Sequence, residues 1–195
     1  MLKEHSINRK KNFIAAWYVD DDQNCDDLIN YFEGHPDTFT GMIGSIGRVR
    51  PDQKDSTDLF VRDFKHPVIK RYLKNLNKVV QEYKKLYIYC DEDQAAWSLK
   101  RTASFNLQRY YPNQGYHAWH CETTDIPTAS RHLTYMTYLN DVNDKGETAF
   151  YYQNIKIKPE KGLTVIWGTD WTFTHKGIAS PTETKYIATG HYHYH

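Results

Sequence analysis

The chain has 195 residues, of which 39% are apolar and 25% are charged, a composition typical of a folded globular protein rather than a disordered chain. Its 25 Lys and Arg against 24 Asp and Glu leave a formal net charge of +1, which argues against nucleic acid as a partner. Three widely spaced cysteines indicate neither a disulfide framework nor a cysteine zinc site. No apolar stretch of about 18 residues suggests a membrane span, and the start of the chain lacks the apolar core of a signal peptide. We therefore expect a cytoplasmic protein with no membrane partner.

The first hundred residues carry the helical signals. Asn24 or Asp26 can cap a first helix that ends near Gly34. After Pro67, apolar residues recur at three- and four-residue intervals as far as Tyr87, which is typical of an amphipathic helix. Pro67 suits the first turn, because its missing N–H would be unpaired there anyway. We predict a single domain over residues 1–195, in which about residues 1–98 form a helical N-terminal support region.

From about Leu99 onward, short strand-like runs alternate with turn residues. The predicted strands are Ser104–Tyr111, Gly115–Glu122, His132–Leu139, Thr148–Tyr152, Lys161–Trp167 and Lys185–His195. Short strands at regular spacing indicate a sandwich or a barrel. The predicted architecture is mainly β, a jelly-roll core over about residues 99–195 with flanking N-terminal helices.

One predicted strand presents a histidine and a carboxylate together. On a strand, residues two apart project from the same face, so His120 and Glu122 should point the same way, with Cys121 turned away as a core residue. They would supply two ligands of a 2-His-1-carboxylate site, which leaves one face of an Fe(II) ion open. The triplet alone is weak evidence, because a chain with 10 His contains one by chance. His175 is the candidate third ligand. Lys185, ten residues later, could place an ammonium in the same pocket or could lie on the surface.

Several segments between residues 104 and 192 follow one another in a recognisable order. They are Gln108-Arg109-Tyr110-Tyr111-Pro112, His120-x-Glu122, Arg131-His132-Leu133-Thr134, Tyr138-Leu139-Asn140-Asp141-Val142, Gly146-Glu147-Thr148-Ala149-Phe150, Ile157-Lys158-Pro159-x-Lys161-Gly162, His175 and Lys185-Tyr186-Ile187-Ala188-Thr189. Together they resemble the catalytic core of the prolyl 4-hydroxylase-like branch of the 2-oxoglutarate/Fe(II) oxygenases. Small members from marine bacteria and their phages look most similar.

The resemblance implies a double-stranded β-helix, the jelly roll already expected. It implies Fe(II) held by His120, Glu122 and His175, with 2-oxoglutarate as co-substrate and O₂ as oxidant. It also implies that Lys185 pairs with the C5 carboxylate of 2-oxoglutarate.

Four further residues receive roles from the same resemblance. Tyr138 matches a position that helps to hold the C5 carboxylate, and Tyr111 matches a tyrosine that lines the co-substrate pocket. Thr189 is a weaker candidate for the pocket wall, and Arg131 has a structural role. For both tyrosines, a packed strand aromatic is the alternative interpretation.

Two positions depart from the common pattern of that branch. Most members carry Asp where Glu122 stands, so its extra methylene requires a shifted backbone or a different carboxylate binding mode. His191 stands where a Trp usually lies, which affects local packing. With His193 and His195 it would form a line of imidazoles on the last strand, for which a frayed or partly exposed chain end is the preferred interpretation.

The implied reaction is hydroxylation of an unactivated C–H bond, with a prolyl residue of a peptide or protein as the leading substrate. A carboxylate at position 122 leaves no vacant ligand site for halide, which favours hydroxylation over halogenation. A hydroxylase of free amino acids and a non-enzymatic jelly-roll module that binds a metal or ligand remain alternatives. The candidate substrate loops are Thr38–Asp58 and Thr123–Arg131.

Overall fold

The computed structural model describes residues 2–19, 21–44, 47–90, 99–101 and 104–194, with side chains for all of these except residues 9, 10 and 99–101. His195, the last imidazole of the predicted line, lies outside these ranges. Within them, no helix combines the length and the apolar character needed to cross a membrane.

The helices are α1 (Asp22–Glu33) and α2 (Pro67–Leu86). The strands are β1 (Lys3–Glu4), β2 (Ala15–Tyr18), β3 (Phe39–Thr40), β4 (Thr57–Val61), β5 (Leu99–Arg101), β6 (Phe105–Tyr110), β7 (Arg131–Tyr138), β8 (Thr148–Phe150), β9 (Ile155–Ile157), β10 (Leu163–Gly168), β11 (His175–Gly177) and β12 (Lys185–Tyr194).

Helix α1 begins earlier than the sequence predicts. Asp21 is its N-cap, and the carboxylate of Asp21 accepts a hydrogen bond from the backbone N–H of Asn24 at 3.3 Å. The predicted caps, Asn24 and Asp26, are therefore wrong, because both residues lie inside the helix. The helix ends at Glu33 with Gly34 as its C-cap, as the predicted end near Gly34 requires.

Helix α2 confirms its prediction, with Pro67 in the first turn. Its polar residues also explain the choice of cap for α1. Arg71 and Asn75 both donate to the carboxylate of Asp21, so a contact between the two helices fixes this aspartate as the cap.

Nine strands form one sheet in the order β1-β2-β10-β7-β12-β6-β4-β3, with β5 pairing the far end of β12. All its neighbouring strands run antiparallel. The strands β1 to β4 come from the N-terminal half, which therefore contributes to the sheet as well as to the helices. The strand β12 lies between β6 and β7, so its side chains project from the centre of the sheet.

A second, three-stranded sheet has the order β11-β8-β9. The predicted strands Ser104–Tyr111, His132–Leu139, Thr148–Tyr152, Lys161–Trp167 and Lys185–His195 are confirmed to within a few residues as β6, β7, β8, β10 and β12. The short strands β9 and β11 were not predicted. The run Gly115–Glu122 is not a strand, since only its isolated bridges at Tyr116 and His120 pair with other segments.

Two apolar cores hold these layers together. Leu28 and Leu76 of the helices pack with Leu107 and other residues on one face of the large sheet. On the opposite face, residues of β7 and β10 pack against Phe150 and Ile157 of the small sheet. The helices therefore cover one face of the large sheet. On its other face, the space between the two sheets can hold a site.

Candidate metal centre

The backbone brings His120 and His175 side by side. His120 donates its N–H to the carbonyl of His175 at 2.9 Å, and His175 donates its own to the carbonyl of His120 at the same distance. This is an isolated antiparallel bridge between an irregular segment and the start of β11. Because the pair is directly opposed, the two imidazoles leave the backbone close together, with ring centroids 4.3 Å apart.

Glu122 joins these histidines through tertiary hydrogen bonds and not through a strand. The backbone N–H groups of Glu122 and Thr123 both donate to the carbonyl of Thr169, at 2.9 Å each. The predicted convergence of His120 and Glu122 is thus found, although its predicted cause, alternation along a strand, is wrong. Cys121 is half-buried rather than in the core, and its thiol donates to the carbonyl of Thr123 at 3.4 Å.

The three side chains form a compact set of nitrogen and oxygen donors. The Nε2 atoms of His120 and His175 lie 3.8 and 3.5 Å from Oε1 of Glu122. One ligand atom from each residue lies within 4.8 Å of the others, and this is the one such group of His, Cys, Asp or Glu that the described ranges contain. Two imidazoles and one carboxylate are the donor set that suits non-haem Fe(II).

Hydrogen bonds fix which nitrogen of each ring is available. Nδ1 of His120 is 3.0 Å from the carbonyl of Ala118, and Nδ1 of His175 is 2.9 Å from the carbonyl of Phe173. A carbonyl can only accept, so each Nδ1 carries the ring proton and each Nε2 offers its lone pair toward Glu122. This arrangement of outer-shell carbonyls is the one that metal-binding histidines use.

The protonation states of His120 and Glu122 also suit the binding of a cation. Burial, followed by the neighbouring His175, lowers the pKa of His120 to about 3, so this imidazole is neutral at neutral pH. Burial alone would raise the pKa of Glu122, but the surrounding imidazoles, among which His191 lies within hydrogen-bonding distance, outweigh it and hold that pKa well below its usual range. A neutral imidazole beside an ionised carboxylate is the state in which these groups bind metal.

The second oxygen of Glu122 has its own partners. Nε2 of His191 lies 3.0 Å from Oε2, and Nη1 of Arg131 lies 3.5 Å from the same atom. Arg131 also donates to the backbone carbonyl of Glu122 at 2.8 Å, so it holds this residue at its backbone, in line with the structural role expected for it.

A cavity of about 730 Å³ connects these ligands to Lys185 on β12. The Lys185 side chain is buried, and its Nζ donates to the backbone carbonyls of Gly146 at 2.8 Å and Ile178 at 3.3 Å. Burial lowers the pKa of Lys185 to about 8, opposed by the nearby charge of Glu147. The two carbonyls are neutral, so they do not compensate the positive charge of the ammonium. This charge can therefore pair with an acidic ligand in the cavity.

Tyr138 and Thr189 also line this cavity. The Tyr138 hydroxyl is buried and lies within hydrogen-bonding distance of Thr148 Oγ1 at 2.7 Å and of the Ile157 carbonyl at 3.2 Å. The Thr189 hydroxyl donates to the backbone carbonyl of Tyr135 at 3.0 Å, so it faces the sheet rather than a ligand. Thr148 lines the same cavity, and its hydroxyl keeps its own proton when it accepts from Tyr138.

The structure does not bring Tyr111 to the cavity. Its side chain is 47% exposed, and its ring lies 4.2 Å from the guanidinium of Arg109 on the outer surface. The neighbouring Tyr110 is buried, lines the cavity and donates to Gln108 at 2.8 Å. The prediction missed by one residue, because adjacent residues of an extended chain face opposite sides.

Sequence reasoning also missed a charged group that lines the cavity. Nζ of Lys54 and the carboxylate of Asp58 form a buried ion pair at 2.5 Å, and Gln108 donates to the same carboxylate at 3.1 Å. The ring of Tyr116 stacks on His120 with centroids 3.5 Å apart. The spacing of Lys54 and Asp58 marks no known motif, so only their placement within the predicted loop Thr38–Asp58 pointed to them.

Both predicted substrate loops border the cavity. The first contributes Phe39, Met42 and Ile43 as well as the ion pair, and the second contributes Thr124 and Thr128. The structure shows that both loops line the cavity. Their binding of substrate stays a prediction.

Residues 105–193 match the family model of the 2OG-Fe(II) oxygenase superfamily. Over this segment, the predicted resemblance to the 2-oxoglutarate/Fe(II) oxygenases is confirmed. The cofactors of this superfamily are Fe(II) and 2-oxoglutarate, with O₂ as oxidant. The matched segment contains His120, Glu122, His175 and Lys185.

The fold is similar to that of several solved prolyl hydroxylases. A viral collagen prolyl hydroxylase from Paramecium bursaria Chlorella virus-1, solved with 2OG, is 21% identical, with a TM-score of 0.68 over 94% of this chain and 97% of that chain. A prolyl-4-hydroxylase from Pseudomonas putida is 14% identical, with a TM-score of 0.70 over 96% of both chains. A Trichoplax adhaerens prolyl hydroxylase, solved with a hypoxia inducible factor peptide fragment, is 14% identical, with a TM-score of 0.76 over 96% of this chain and 86% of that chain.

These likenesses confirm the predicted double-stranded β-helix, or jelly roll, with flanking helices. No curated protein sequence matches the chain significantly.

Proposed function

We propose that the protein is an Fe(II)- and 2-oxoglutarate-dependent dioxygenase that hydroxylates a prolyl residue of a peptide or protein. The observation that carries the proposal is one cavity that holds both a two-histidine, one-carboxylate cluster and a buried lysine. His120, Glu122 and His175 are the proposed iron ligands. Lys185 is the proposed partner of the distal carboxylate of 2-oxoglutarate.

Each of these residues has a separate task in the proposed reaction. Bound iron supplies the activation of O₂ that couples 2-oxoglutarate decarboxylation to C–H oxidation. His120 and His175 hold their Nε2 lone pairs on one side of the cavity, because backbone carbonyls fix their Nδ1 protons. Lys185 binds a carboxylate by charge, and the Thr148 hydroxyl, held by Tyr138, can donate to the same carboxylate.

Part of the cavity wall is apolar. Met136, Trp167 and Ile187 line it and are buried in the core between the two sheets. An apolar wall strengthens the attraction between Lys185 and a carboxylate, since little water screens their charges.

Two observations support a prolyl residue as substrate. The three similar structures described above are prolyl hydroxylases, and the Trichoplax protein was solved with a peptide. The rim formed by Phe39, Met42 and Ile43 is apolar and only partly buried, which suits contact with the apolar ring of a prolyl residue in an extended chain.

The first test addresses the iron site and the co-substrate. Anaerobic protein mixed with Fe(II) and 2-oxoglutarate should show the visible charge-transfer band of a chelated complex. Admission of air should then produce succinate. The Lys185→Met variant should bind Fe(II) but require much more 2-oxoglutarate for the band. Absence of both the band and succinate in the wild-type protein would refute the oxygenase assignment of this site.

The second test addresses the substrate. A library of proline-containing peptides and a panel of free amino acids are incubated with the loaded enzyme, and mass spectrometry detects the gain of one oxygen atom. We expect hydroxylation within peptides, and not of free proline. Hydroxylation of free amino acids alone would replace the peptide assignment and leave the iron site intact.

A further inference from the structure

His191 shares the cavity face of β12 with the proposed co-substrate anchor. Residues two apart on a strand face the same way, and Lys185, Ile187, Thr189 and His191 all line the cavity. His191 is the member of this row that reaches the metal centre, with its Nε2 atom 3.0 Å from Oε2 of Glu122.

We propose that His191 is a positioning residue, which donates a hydrogen bond from Nε2 to Oε2 of Glu122 and so aims Oε1 at the metal position. This inference rests on the proposed iron site. It makes Glu122 a ligand through one oxygen, with its other oxygen occupied by the protein.

The direction of the hydrogen bond follows from the chemistry of the pair. An ionised carboxylate has no proton to give and can only accept, so Nε2 of His191 must be the donor. The bond is therefore charge-assisted, the stronger class of hydrogen bond. It holds the oxygen that faces away from His120 and His175, whose Nε2 atoms lie 3.8 and 3.5 Å from Oε1.

A glutamate needs this help more than an aspartate would. Its side chain has one more rotatable bond, so more freedom is lost when it is fixed in a ligand geometry. Arg131 does not replace His191 here. Its Nη1 atom lies 3.5 Å from Oε2 but donates at 2.8 Å to the backbone carbonyl, which fixes the main chain and leaves the side-chain torsions to His191.

The test compares variants that keep or remove the donor. The full-length His191→Phe variant keeps a planar ring without an N–H, and His191→Gln keeps an N–H at a similar reach. Mn(II) is titrated into each apo protein and the free ion is measured by electron paramagnetic resonance. We expect His191→Phe to weaken Mn(II) binding by about 10- to 100-fold, as for other groups that orient metal ligands, and His191→Gln to restore most of it.

His193 supplies a matched control on the same strand. Its Nδ1 atom is 2.8 Å from the Ser130 hydroxyl, so His193→Phe makes the same chemical change away from Glu122. This variant should bind Mn(II) as the wild-type protein does. If His191→Phe does not fold, as judged by near-ultraviolet circular dichroism, His191→Leu takes its place.

A double variant separates positioning from general packing. Glu122→Asp shortens the side chain that His191 is proposed to hold. The loss caused by His191→Phe should therefore be smaller in the Glu122→Asp background than in the wild-type background. Equal losses in both backgrounds would mean that His191 acts on something other than this carboxylate.

The outcomes distinguish this inference from the proposed function. No Mn(II) binding by the wild-type protein would overturn the iron site and the role of His191 together. Wild-type binding with an unaffected His191→Phe variant, or a His191→Gln variant as weak as His191→Phe, would overturn the positioning role alone.

Discussion

At the scale of single residues, His175 combines a proposed ligand atom with a structural contact. Its ring is 5% exposed, and its Nδ1 atom donates to the carbonyl of Phe173. The variant His175→Ala should lose Mn(II) and Fe(II) affinity by more than the roughly 100-fold seen for outer-shell residues, because a ligand itself is removed. Its fold should persist with a stability loss of about 1–3 kcal/mol. Metal titration and chemical denaturation measure the two effects separately.

The exposed His117 is the control for that substitution. His117→Ala removes an imidazole from the same neighbourhood and should change neither quantity. Metal affinity that survives in His175→Ala would contradict the proposed ligand set.

Lys185 should give 2-oxoglutarate binding a characteristic pH dependence. Burial lowers the pKa of this lysine to about 8, so the ammonium begins to lose its proton as the pH rises through 8. The two carboxylates of 2-oxoglutarate stay ionised over the same range. The dissociation constant for 2-oxoglutarate should therefore rise above pH 8, approaching about tenfold per pH unit. Calorimetric titration between pH 6.5 and 9.5, with Mn(II) in place of iron, measures this constant.

The same pKa shift has the opposite effect on stability. The folded protein releases the Lys185 proton at a lower pH than the unfolded chain, so this residue alone makes stability increase from pH 8 toward the ordinary lysine pKa.

The control for the binding experiment is an arginine at position 185, which remains charged throughout. The Lys185→Arg variant should therefore bind 2-oxoglutarate with a dissociation constant that does not change with pH. A wild-type dissociation constant that does not change between pH 7 and 9.5 would contradict a buried, charge-pairing Lys185.

The sequence predicts a site residue when the pattern that marks it lies within one short segment. His120, Glu122 and Lys185 stand in ordered motifs, and the structure places all three around one cavity. The motif match points to Tyr111 instead of Tyr110, because a match alone does not tell which of two adjacent tyrosines faces inward. The contact between Glu122 and His191 joins residues 69 positions apart, and no local pattern encodes such a pair.

At the scale of elements, the predictions succeed where periodicity is strong. The three- and four-residue spacing along α2 corresponds to one buried face and one more exposed face. The strand β2 has a continuous apolar run with three fully buried residues, so it shows no alternation and was missed. The segment Gly115–Glu122 has a strand-like sequence but forms no strand, because its backbone hydrogen bonds to Gln53, Thr169 and His175 are tertiary.

The support that α2 gives to the large sheet can be measured at Leu76. This residue is 1% exposed and belongs to the core between the helices and the sheet. Leu76→Ala should destabilise the protein by about 2–5 kcal/mol, through lost burial and the cavity left behind. The neighbouring Asn77 is exposed, and Asn77→Ala should change stability by less than about 0.5 kcal/mol. Urea denaturation gives both values, and a loss below about 1 kcal/mol for Leu76→Ala would mean that α2 adds little to the sheet.

At the scale of the whole molecule, the fold around the proposed metal centre is held by contacts that involve no metal. The main-chain hydrogen bonds of His120, Glu122 and His175 end on protein carbonyls. The two apolar cores lie on opposite faces of the large sheet, and neither includes these three residues. An apo protein should therefore be folded, which distinguishes a catalytic site from a metal that the fold requires.

Metal should still stabilise the protein by mass action. Mn(II) at about 100 times its dissociation constant should contribute about 2.7 kcal/mol, which for a chain of this size raises the melting temperature by about 5–11 °C. Under anaerobic conditions, 2-oxoglutarate should add a further increase that the Lys185→Met variant lacks. Differential scanning calorimetry of the apo, Mn(II)-loaded and doubly loaded proteins tests both steps. A chelator-treated protein without a cooperative unfolding transition would instead support the non-enzymatic module, in which the metal holds the jelly roll together.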